Sequence, residues 1–528
     1  MTFRILITDD LGSGDFSRLD TAEDMSYDIK TGLSQAQLGE IVGEYHGLIT
    51  RRGTAVDTAI LQAGKQLKVV GRAAADVSNI DVQAASQRGI IVMNTPQAHI
   101  VAITEHTMGM ILAAVRHTAA AHSDMLTGGW NPTQHMGTQL YRKTLGLIGF
   151  GQIARLLARR ACVFDMEVYA YDPYVSEEIG RELGVILVDL DDLLAQADVI
   201  SLHMVDVADT HHLINAETIG QMKEGVIIVN GAQGALIDEA ALAAALQNGK
   251  VQAAALDVFE REPPQNSPLI GRPNVLHTPH LGPQTIEAQR DIATQIIDQV
   301  IDALRGQDFR NAVNMPFQAG PGFETIRPHM SLAEKLGLLH CHLADGPIRR
   351  VEIEVVGEDV AELIKPVAAA LLKGILQKSI AEPVNSVNAP ILAEEKGITI
   401  SQTKGISHID YPNLISCQAQ WDGGSRLLAG VLFGGTEPRL VQVDEYTLEA
   451  RPEGTVLVLK NQDVPGVIGQ VGTILAAYEV NIGEWRMGRD KPGGEALSFI
   501  NLDSEPDAAV LDALQKIPAI THVKLITL

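Results

Sequence analysis

The chain has 528 residues, 46% of them hydrophobic, with 41 Lys and Arg against 65 Asp and Glu and a formal net charge of −24. This length predicts roughly three or four domains, and so acidic a chain excludes extended contact with nucleic-acid phosphates or with anionic membrane surfaces. The three cysteines lie far apart and show no metal-ligand spacing, which excludes a disulfide framework and predicts no metal site.

The first part of the chain alternates short apolar runs with helical segments, the pattern of a parallel sheet covered by helices. The predicted strands are residues 5–7, 47–50, 67–71 and 90–96, and a long helix is predicted over residues 100–121. The opening segment lacks the long apolar stretch of a signal peptide, which predicts a cytoplasmic protein. No uninterrupted apolar run of the sequence is long enough to span a bilayer.

A glycine-rich turn follows a buried strand predicted over residues 145–148. Gly149 permits a tight turn, and Gly151 lets backbone amides at a helix N-terminus approach a pyrophosphate. Ala154 stands at the third glycine position of this pattern and is small enough for close helix packing. Asp172 lies 21 residues after Gly151, where a carboxylate binds a ribose 2′-hydroxyl and repels a 2′-phosphate. Glycines also occur at such turns for structural reasons alone, but strand, helix and Asp172 together predict NAD as the cofactor.

The remaining elements suggest further domains. Strands of the nucleotide-binding unit are predicted over residues 168–172, 199–203, 226–230 and 253–257, and prolines at 263, 264 and 279 close that unit. A helix over residues 285–306 is expected to return to the first sheet, which makes the first domain discontinuous. A Gly/Pro-rich linker is predicted at 319–322, and a third α/β unit runs to about residue 449. The tail predicts strand, helix, strand, strand, helix, strand.

Several motifs resemble those of one enzyme family. They are residues 226–230, 255–264 and 279–282, then 331–337 and 387–390, and in the tail 463–469 and 480–483. On these motifs the chain resembles, over essentially its whole length, the D-isomer-specific 2-hydroxyacid dehydrogenases and in particular their long phosphoglycerate-oxidising members. The resemblance implies a doubly wound Rossmann NAD-binding domain inserted in a flavodoxin-like substrate domain, followed by an α+β intervening domain and a βαββαβ ACT domain.

The resemblance also implies boundaries and a reaction. The implied domains are residues 1–98 with 283–314 for the substrate, 99–282 for NAD, 315–452 for the intervening domain and 453–528 for the ACT domain. The implied reaction is the NAD-dependent oxidation of 3-phospho-D-glycerate to 3-phosphohydroxypyruvate, which begins L-serine synthesis.

Three positions match the catalytic group of that family. His280 matches its acid/base, and a histidine suits proton transfer in both directions of such a reaction. Glu262, 18 residues earlier, matches the carboxylate that orients the imidazole. Gln233 stands where the family has an arginine that binds the substrate carboxylate and polarises its carbonyl. Because glutamine brings no charge, transition-state stabilisation is expected to fall by several kcal/mol unless another group compensates.

Other positions match binding residues of the family. For the cofactor, besides Gly149, Gly151 and Asp172, these are Gln152, Ile153, Met204, Val205, Gly231, Asp257 and Gly282. Arg51, Arg72 and Asn94 stand at positions that bind the substrate. Either arginine could instead be an ordinary surface charge.

The region around the substrate departs from the family pattern. Ala74 and Asp76 stand where the family has glycines, Ala98-His99 where it has Gly-Asn, and residues 203–205 lack its usual proline. With Gln233, these changes alter the charge and shape of the pocket. Two alternatives therefore stay open beside the implied enzyme: an NAD-dependent dehydrogenase for another D-2-hydroxy acid, and a catalytically silent NAD-binding regulatory paralogue.

The tail implies regulation and self-association. An ACT-like domain binds a small amino acid, by resemblance serine, at a dimer interface, and Asp463 and Asn481 stand at the expected polar positions. Asn461 replaces a histidine common in serine-inhibited members, which weakens the inference of serine feedback. The expected partners are a small anionic 2-hydroxy or 2-oxo acid, an amino-acid effector, and further copies of the chain in a homotetramer.

Overall fold

A computed structural model describes residues 2–12, 14–317, 323–357, 360–380, 383–405, 411 and 413–528. The linker predicted at 319–322 lies outside these residues. The chain divides into two units. Unit 1 comprises Met1–Asp10, Ser17–Asn94 and Ile296–Leu528, and unit 2 comprises Leu11–Phe16 and Thr95–Gln295.

Unit 1 begins with a five-stranded parallel sheet. Its elements are β1 Phe3–Ile7, α1 Ser17–Asp20, β2 Met25–Ile29, α2 Gln35–Ile41, β3 Gly47–Thr50, α3 Thr58–Ala63, β4 Val69–Arg72, α4 Val82–Gln87 and β5 Ile91–Met93. The strand order β2-β1-β3-β4-β5 is the expected flavodoxin-like order. β2 was missed by the sequence analysis because this edge strand alternates polar and apolar residues and lacks the apolar run of a central strand.

Unit 2 contains a seven-stranded parallel sheet. Its elements are α5 Ile100–Val115, α6 Thr118–Leu126, β6 Thr144–Ile148, α7 Gln152–Val163, β7 Glu167–Tyr171, α8 Glu177–Glu182, β8 Ile186–Leu187, α9 Leu190–Gln196, β9 Val199–Leu202, α10 Ala216–Gln221, β10 Val226–Asn230, α11 Glu239–Asn248, β11 Val251–Leu256 and β12 Val275–His277. The order β12-β11-β10-β9-β6-β7-β8 confirms the doubly wound Rossmann fold, with its switch point between β9 and β6.

The single helix predicted over residues 100–121 is wrong. Two helices, α5 and α6, meet at His117, whose φ of 51° is left-handed and therefore ends the helical hydrogen-bond pattern. α5 buries many of its residues, whereas α6 buries none. Apolar spacing alone does not reveal such a break.

The helix predicted to follow the nucleotide-binding unit is α12 Ile286–Leu304, which contains the boundary between the units. Unit 1 continues with α13 Phe323–Leu343, β13 Ile348–Val356, α14 Ile364–Leu376, α15 Ala389–Glu395, β14 Thr399–Gly405, β15 Leu414–Trp421, β16 Gly424–Phe433, β17 Glu437–Val443 and β18 Tyr446–Ala450. Its sheet runs β14-β13-β15-β16-β17-β18, with β13 and β14 parallel and the other pairs antiparallel. This is the expected α+β class.

The chain ends in the predicted βαββαβ order. The elements are β19 Thr455–Gln462, α16 Val467–Ala477, β20 Ile482–Arg489, β21 Glu495–Leu502, α17 Ala508–Gln515 and β22 Ile520–Thr527. The antiparallel sheet runs β20-β21-β19-β22. Phe499 and other residues of one face share a hydrophobic core with Leu336 of α13 and Leu371 of α14, and α16 and α17 cover the other face.

The division into two units does not resolve four domains. The domain boundaries implied by the resemblance therefore stay predictions. Asn385, close to α15, donates a hydrogen bond of 2.6 Å to the carbonyl of Gly89, beside the five-stranded sheet. This contact lies within unit 1 and shows that the third segment is attached to the first sheet. None of the helices in the described ranges combines the length and apolarity needed to cross a membrane.

Candidate active site

In unit 2, the predicted cofactor and catalytic residues follow the strands of the seven-stranded sheet. All strands are parallel, so their carboxyl ends lie at one edge, which is where ligands bind in open α/β sheets. The residues at this edge are Gly149 after β6, Asp172 after β7, Met204 and Val205 after β9, Gly231 and Gln233 after β10, Asp257 after β11 and His280 after β12.

The turn between β6 and α7 has the backbone geometry that phosphate binding requires. Gly149 has a φ of 92°, and a Cβ there would lie 2.7 Å from the carbonyl oxygen of His203. Gly151 precedes the first turn of α7, and nothing lies within 4 Å of a Cβ built on it. The space at Gly151 and the free amides of the helix start, at Gln152 and Ile153, fit a pyrophosphate.

Asp172 is held beside this turn by two backbone donors. One carboxylate oxygen accepts the amide of Phe150 at 2.9 Å, and the other accepts the amide of Tyr174 at 3.0 Å. The position suits a ribose hydroxyl, because a carboxylate oxygen can accept more than one hydrogen bond. Ala154 is fully buried, as close packing of α7 on the sheet requires.

The other predicted cofactor residues differ in exposure. Val205 is 68% exposed whereas Met204 is half-buried, so an apolar surface is available beside the turn. Gly231 lies against α5, where a Cβ would be 3.5 Å from the Thr107 hydroxyl. At Gly282 a Cβ would lie 3.2 Å from both Asp257 and Ile103. The space at 282 is therefore tight, while 231 has room.

His280 and Glu262 form the predicted pair. His280 Nδ1 lies 2.9 Å and 3.1 Å from the two carboxylate oxygens of Glu262, and about a third of each side chain is exposed. The φ of His280 is 55°, a left-handed conformation that is uncommon for a residue with a side chain. The Glu262 carboxylate also accepts the amide of Phe259 at 3.4 Å. With Nδ1 donating to Glu262, Nε2 is left to accept a proton from a ligand.

Asp257 holds the backbone of the turn that carries His280. Its carboxylate accepts the amides of Leu281 at 2.7 Å and Gly282 at 2.8 Å, and its carbonyl accepts the amide of His280 at 3.0 Å. Thr278 donates its hydroxyl to the same carboxylate at 2.5 Å. The left-handed turn at His280 is thus fixed from both sides.

The side chain of Asp257 is only 1% exposed, and His106 of α5 lies 3.2 Å from it. Burial by itself raises the pKa of this carboxyl, but the hydrogen bonds from His106, Thr278 and the two backbone amides outweigh burial and lower the pKa to about 2. Asp257 therefore stays ionised at all moderate pH values. The roles of His106 and Thr278 were not predicted from the sequence; the available signal was a histidine inside the largely apolar α5.

Gln233 follows β10 on an exposed loop. The side-chain amide of Asn230 donates a hydrogen bond of 2.8 Å to the backbone carbonyl of Gln233. A side chain at the next residue, Gly234, would collide with the backbone of Phe259 and Glu260, so this loop lies against the segment that leads to Glu262. The Gln233 side chain is exposed, and whether it replaces the family's arginine in function stays a prediction.

In unit 1, one loop connects the three predicted substrate residues. Arg72 ends β4, is 2% exposed, and lies 2.7 Å from the carboxylate of Asp76. Asn94 donates to the carbonyl of Ala75 at 2.5 Å, and Asn79 donates to the carbonyl of Arg51 at 2.6 Å. The loop of residues 73–79 therefore contacts all three, and the Arg72–Asp76 ion pair could not be foreseen from the motif.

His99 was expected, together with Gln233 and Asp76, to change the charge and the shape of the pocket. It lies before α5 and is 8% exposed, and burial lowers the pKa of its imidazole. A histidine with a lowered pKa is neutral at pH 7, so His99 alters shape but adds no charge.

The predicted effector residues do not meet within one chain. Asp463 follows β19 and accepts hydrogen bonds from Arg489 and the amide of Gly493, whereas Asn481 precedes β20 and donates to Asp503 at 2.6 Å. In the strand register Gln462 pairs with Glu495 and Ile482 pairs with Leu502, at opposite ends of β21. These ends are about 23 Å apart at ~3.3 Å per residue.

Within the described residues, one group of three side chains could reach a common metal ion: His211, His212 and Glu260, with ligand atoms within 4.8 Å of one another. His212 already pairs with Glu260 at 3.0 Å, and the two imidazoles are stacked with an interplanar angle of 19°. An ion bound by ring nitrogens lies close to both ring planes, which stacked rings do not allow. We therefore assign this group to surface hydrogen bonding.

Comparison with known proteins accounts for most of the chain. Residues 108–282 match the model of the D-isomer-specific 2-hydroxyacid dehydrogenase NAD-binding domain, residues 325–444 that of the D-3-phosphoglycerate dehydrogenase intervening domain, and residues 455–519 that of the ACT domain. NAD is thus the cofactor of this domain.

Curated relatives match along the whole length. D-3-phosphoglycerate dehydrogenase of Methanocaldococcus jannaschii is 39% identical over 99% of this chain and 100% of its own, and that of Bacillus subtilis is 34% identical over 100% of both. Among solved structures, D-lactate dehydrogenase of Escherichia coli is 27% identical, with a TM-score of 0.52 over 59% of this chain and 100% of its own. With its full-length matches and its three matched domains, the chain belongs to the D-3-phosphoglycerate dehydrogenase family of D-isomer-specific 2-hydroxyacid dehydrogenases.

Proposed function

We propose that the chain oxidises 3-phospho-D-glycerate to 3-phosphohydroxypyruvate with NAD, the first step of L-serine synthesis. The observation that carries this proposal is the His280–Glu262 pair at the carboxyl edge of the NAD-binding sheet. Full-length similarity to curated D-3-phosphoglycerate dehydrogenases supports the choice of substrate.

In the proposed reaction His280 is the general base. Glu262 accepts the Nδ1 proton and keeps the imidazole oriented, so Nε2 takes the proton of the substrate hydroxyl. NAD, held by the turn at Gly149 and Gly151 and by Asp172, would supply the hydride acceptor. In the reverse direction the imidazolium returns the proton, and Glu262 stabilises its charge. Asp257 holds the backbone of the His280 turn, so the base does not have to reorganise during the reaction.

Binding of the substrate is assigned to cationic and amide side chains. In unit 1, Arg51, Arg72 and Asn94 are assigned to the anionic groups of the substrate. In unit 2, Gln233 offers an amide donor where the family has an arginine. A neutral donor stabilises developing negative charge less than a guanidinium does. We therefore expect turnover to be slower than an arginine at 233 would allow.

One observation favours a second candidate, an NAD-dependent dehydrogenase for another D-2-hydroxy acid. Arg72 is already paired with Asp76, so part of the positive charge for a phosphorylated substrate is cancelled. The solved structure of D-lactate dehydrogenase resembles 59% of this chain, which makes unphosphorylated 2-oxo acids the appropriate competitors.

The test is NADH consumption by the purified full-length chain with 3-phosphohydroxypyruvate, beside pyruvate, glyoxylate and 2-oxoglutarate. The highest kcat/KM is expected with the phosphorylated acid. A clear preference for one of the other acids selects the second candidate. No turnover of any acid, with NADH still bound in a fluorescence titration, contradicts both.

We further propose that the ACT domain binds an amino-acid effector between two chains and that the protein is a homotetramer. Asp463 and Asn481 lie at opposite ends of one sheet, so they can contact one effector only if two chains contribute. Self-association is supported by an apolar surface on and after α6, where Leu126, Trp130 and Met136 are each more than 70% exposed. Sedimentation of the full-length chain with and without L-serine tests both points.

A further inference from the structure

We propose that Asp76 is a specificity-determining residue: its carboxylate binds Arg72 in the free protein and must be displaced by the anionic group of the substrate. The inference rests on the substrate-binding role proposed for Arg72. It deepens that role, because it makes Asp76 an internal competitor for the cation. Asp76 then determines how tightly any anionic substrate binds at this position.

The first support is the incomplete bonding of Arg72. Its guanidinium is buried, and Nη1 lies 2.7 Å from Asp76 and donates to the Ser78 hydroxyl at 3.0 Å. Its Nε is buried and has no hydrogen-bond partner in the described chain. A guanidinium has five N–H donors, and a buried one that is left unpaired costs free energy. Arg72 therefore has donors to offer a further acceptor.

The second support is the contrast in burial between the two partners. The side chain of Asp76 is 55% exposed, against 2% for Arg72. Asp76 is held to its own loop by the amide of Ser78 at 3.0 Å. An exposed carboxylate on a short side chain can rotate into solvent once its hydrogen bond from Ser78 is broken, whereas the buried arginine at the end of β4 is fixed by the sheet. Displacement thus requires a rotamer change of Asp76 and no movement of the strand.

The third support is that the backbone of this loop is anchored independently of the ion pair. Asn94 binds the carbonyl of Ala75, and Asn79 binds the carbonyl of Arg51. Removing the Asp76 charge should therefore leave the loop in place. The same anchors keep the Asp76 backbone close to Arg72, so the carboxylate competes with a ligand at high effective concentration.

Asp76 is expected to affect only the ligands that place an anionic group on Arg72. A ligand that places an anionic group on Arg72 must break the ion pair, and it also meets repulsion from Asp76 until the carboxylate rotates away. A ligand that places no anion there leaves the pair intact. Aspartate at position 76 therefore weakens the binding of anions compared with a neutral residue at the same position.

The test is calorimetric binding of 3-phosphoglycerate, D-glycerate and D-lactate to the full-length wild type and to Asp76→Asn, with NADH present. Asp76→Asn is expected to bind at least one of these acids about tenfold more tightly, because like-charge repulsion is removed. Asp76→Glu, which keeps the charge, should bind like the wild type, as should Glu40→Gln, which removes an exposed charge on α2. In turnover assays the change should appear mainly in KM rather than in kcat.

Unchanged or weaker binding by Asp76→Asn overturns the inference, since weaker binding would mean that Asp76 only holds Arg72 in position. Absence of binding by all three acids to both proteins overturns it as well. The proposed function is judged separately, by NADH consumption with 3-phosphohydroxypyruvate. Tighter binding by Asp76→Asn without preference for the phosphorylated acid would sustain the inference and reject the proposed substrate.

Discussion

The two regions that hold the candidate site residues are built differently. At the carboxyl edge of the seven-stranded sheet, the predicted residues have the partners that the motifs imply: His280 meets Glu262, and Asp172 lies beside the glycine turn. On the loop after β4, Arg72 is instead bound by Asp76 of the same loop. Residues that end buried strands are constrained by the core, whereas an exposed loop can carry a new charge without disturbing the fold.

Two aspartates show the same contrast. Asp257 is buried, and four hydrogen-bond donors hold it. Asp76 is mostly exposed; burial raises its pKa, but hydrogen bonds from Ser78 and the charge of Arg72 outweigh this and lower it. Asp257 holds a turn, so its replacement should disturb the local structure. Asp76 contributes a charge that can be removed without disturbing the fold. The cofactor edge should therefore be sensitive to single substitutions, and the loop should respond mainly in ligand affinity.

The largest effect should follow removal of the base. His280→Ala is expected to lower kcat about 10³-fold or more, because no other group replaces the imidazole. Steady-state assays with 3-phosphohydroxypyruvate measure the loss, and NADH titration should show that cofactor binding is retained. His122→Ala, which removes an exposed histidine of α6, is the control. Activity within tenfold of the wild type would reject His280 as the base.

Gln233 is the residue at the carboxyl edge of the seven-stranded sheet that departs from the family's catalytic group. The Gln233→Arg variant tests whether this departure lowers activity. Restoring a guanidinium should raise kcat/KM for 3-phosphohydroxypyruvate by about tenfold or more, since one missing donor of this kind costs 10²–10³ in other enzymes. Gln233→Met removes the amide donors at similar size and should lower kcat/KM. If Gln233→Arg loses activity, the region is built around glutamine, and its departure from the family is an adaptation.

Asp257→Asn tests the buried network. The folded pKa of about 2 lies below the ordinary value of 3.8, so ionised Asp257 stabilises the fold above pH 4, by about 2 kcal/mol, and this stabilisation is lost as the pH falls from 4 toward 2. The free energy of unfolding in urea should thus differ most between wild type and variant near neutral pH. Asp165→Asn, at an exposed position, should show no such difference. A gap that stays constant down to pH 2.5 contradicts the assignment.

The smallest effect is expected for cofactor choice. Asp172→Asn keeps an oxygen for the amide of Phe150 but removes the charge that repels a 2′-phosphate. The preference for NADH over NADPH should fall about tenfold, measured as the ratio of dissociation constants by fluorescence. Asp165→Asn should leave that ratio unchanged. An unaltered ratio in Asp172→Asn would mean that another group rejects NADPH.

Much of the fold could be predicted because apolar runs and glycine turns are local signals. β10 was predicted at its observed bounds, and the order of elements in the tail was correct. The edge strand β2 was missed because it lacks the apolar run of a central strand, and the break at His117 was missed because it leaves the helical apolar spacing unchanged. The roles of His106 and Thr278 were also missed, because they depend on contacts with Asp257 across 151 and 21 residues of chain.

By itself the sequence determined the cofactor and the family resemblance, because both depend on short local motifs. The pairing of His280 with Glu262 was implied by that resemblance, and the structure shows the contact. Only the tertiary structure decided that Arg72 is already paired, that His99 is buried and neutral, and that Asp463 and Asn481 lie at opposite ends of a sheet. The physical reason is that charge, burial and distance are properties of what surrounds a residue. Those surroundings exist only after distant segments have packed together.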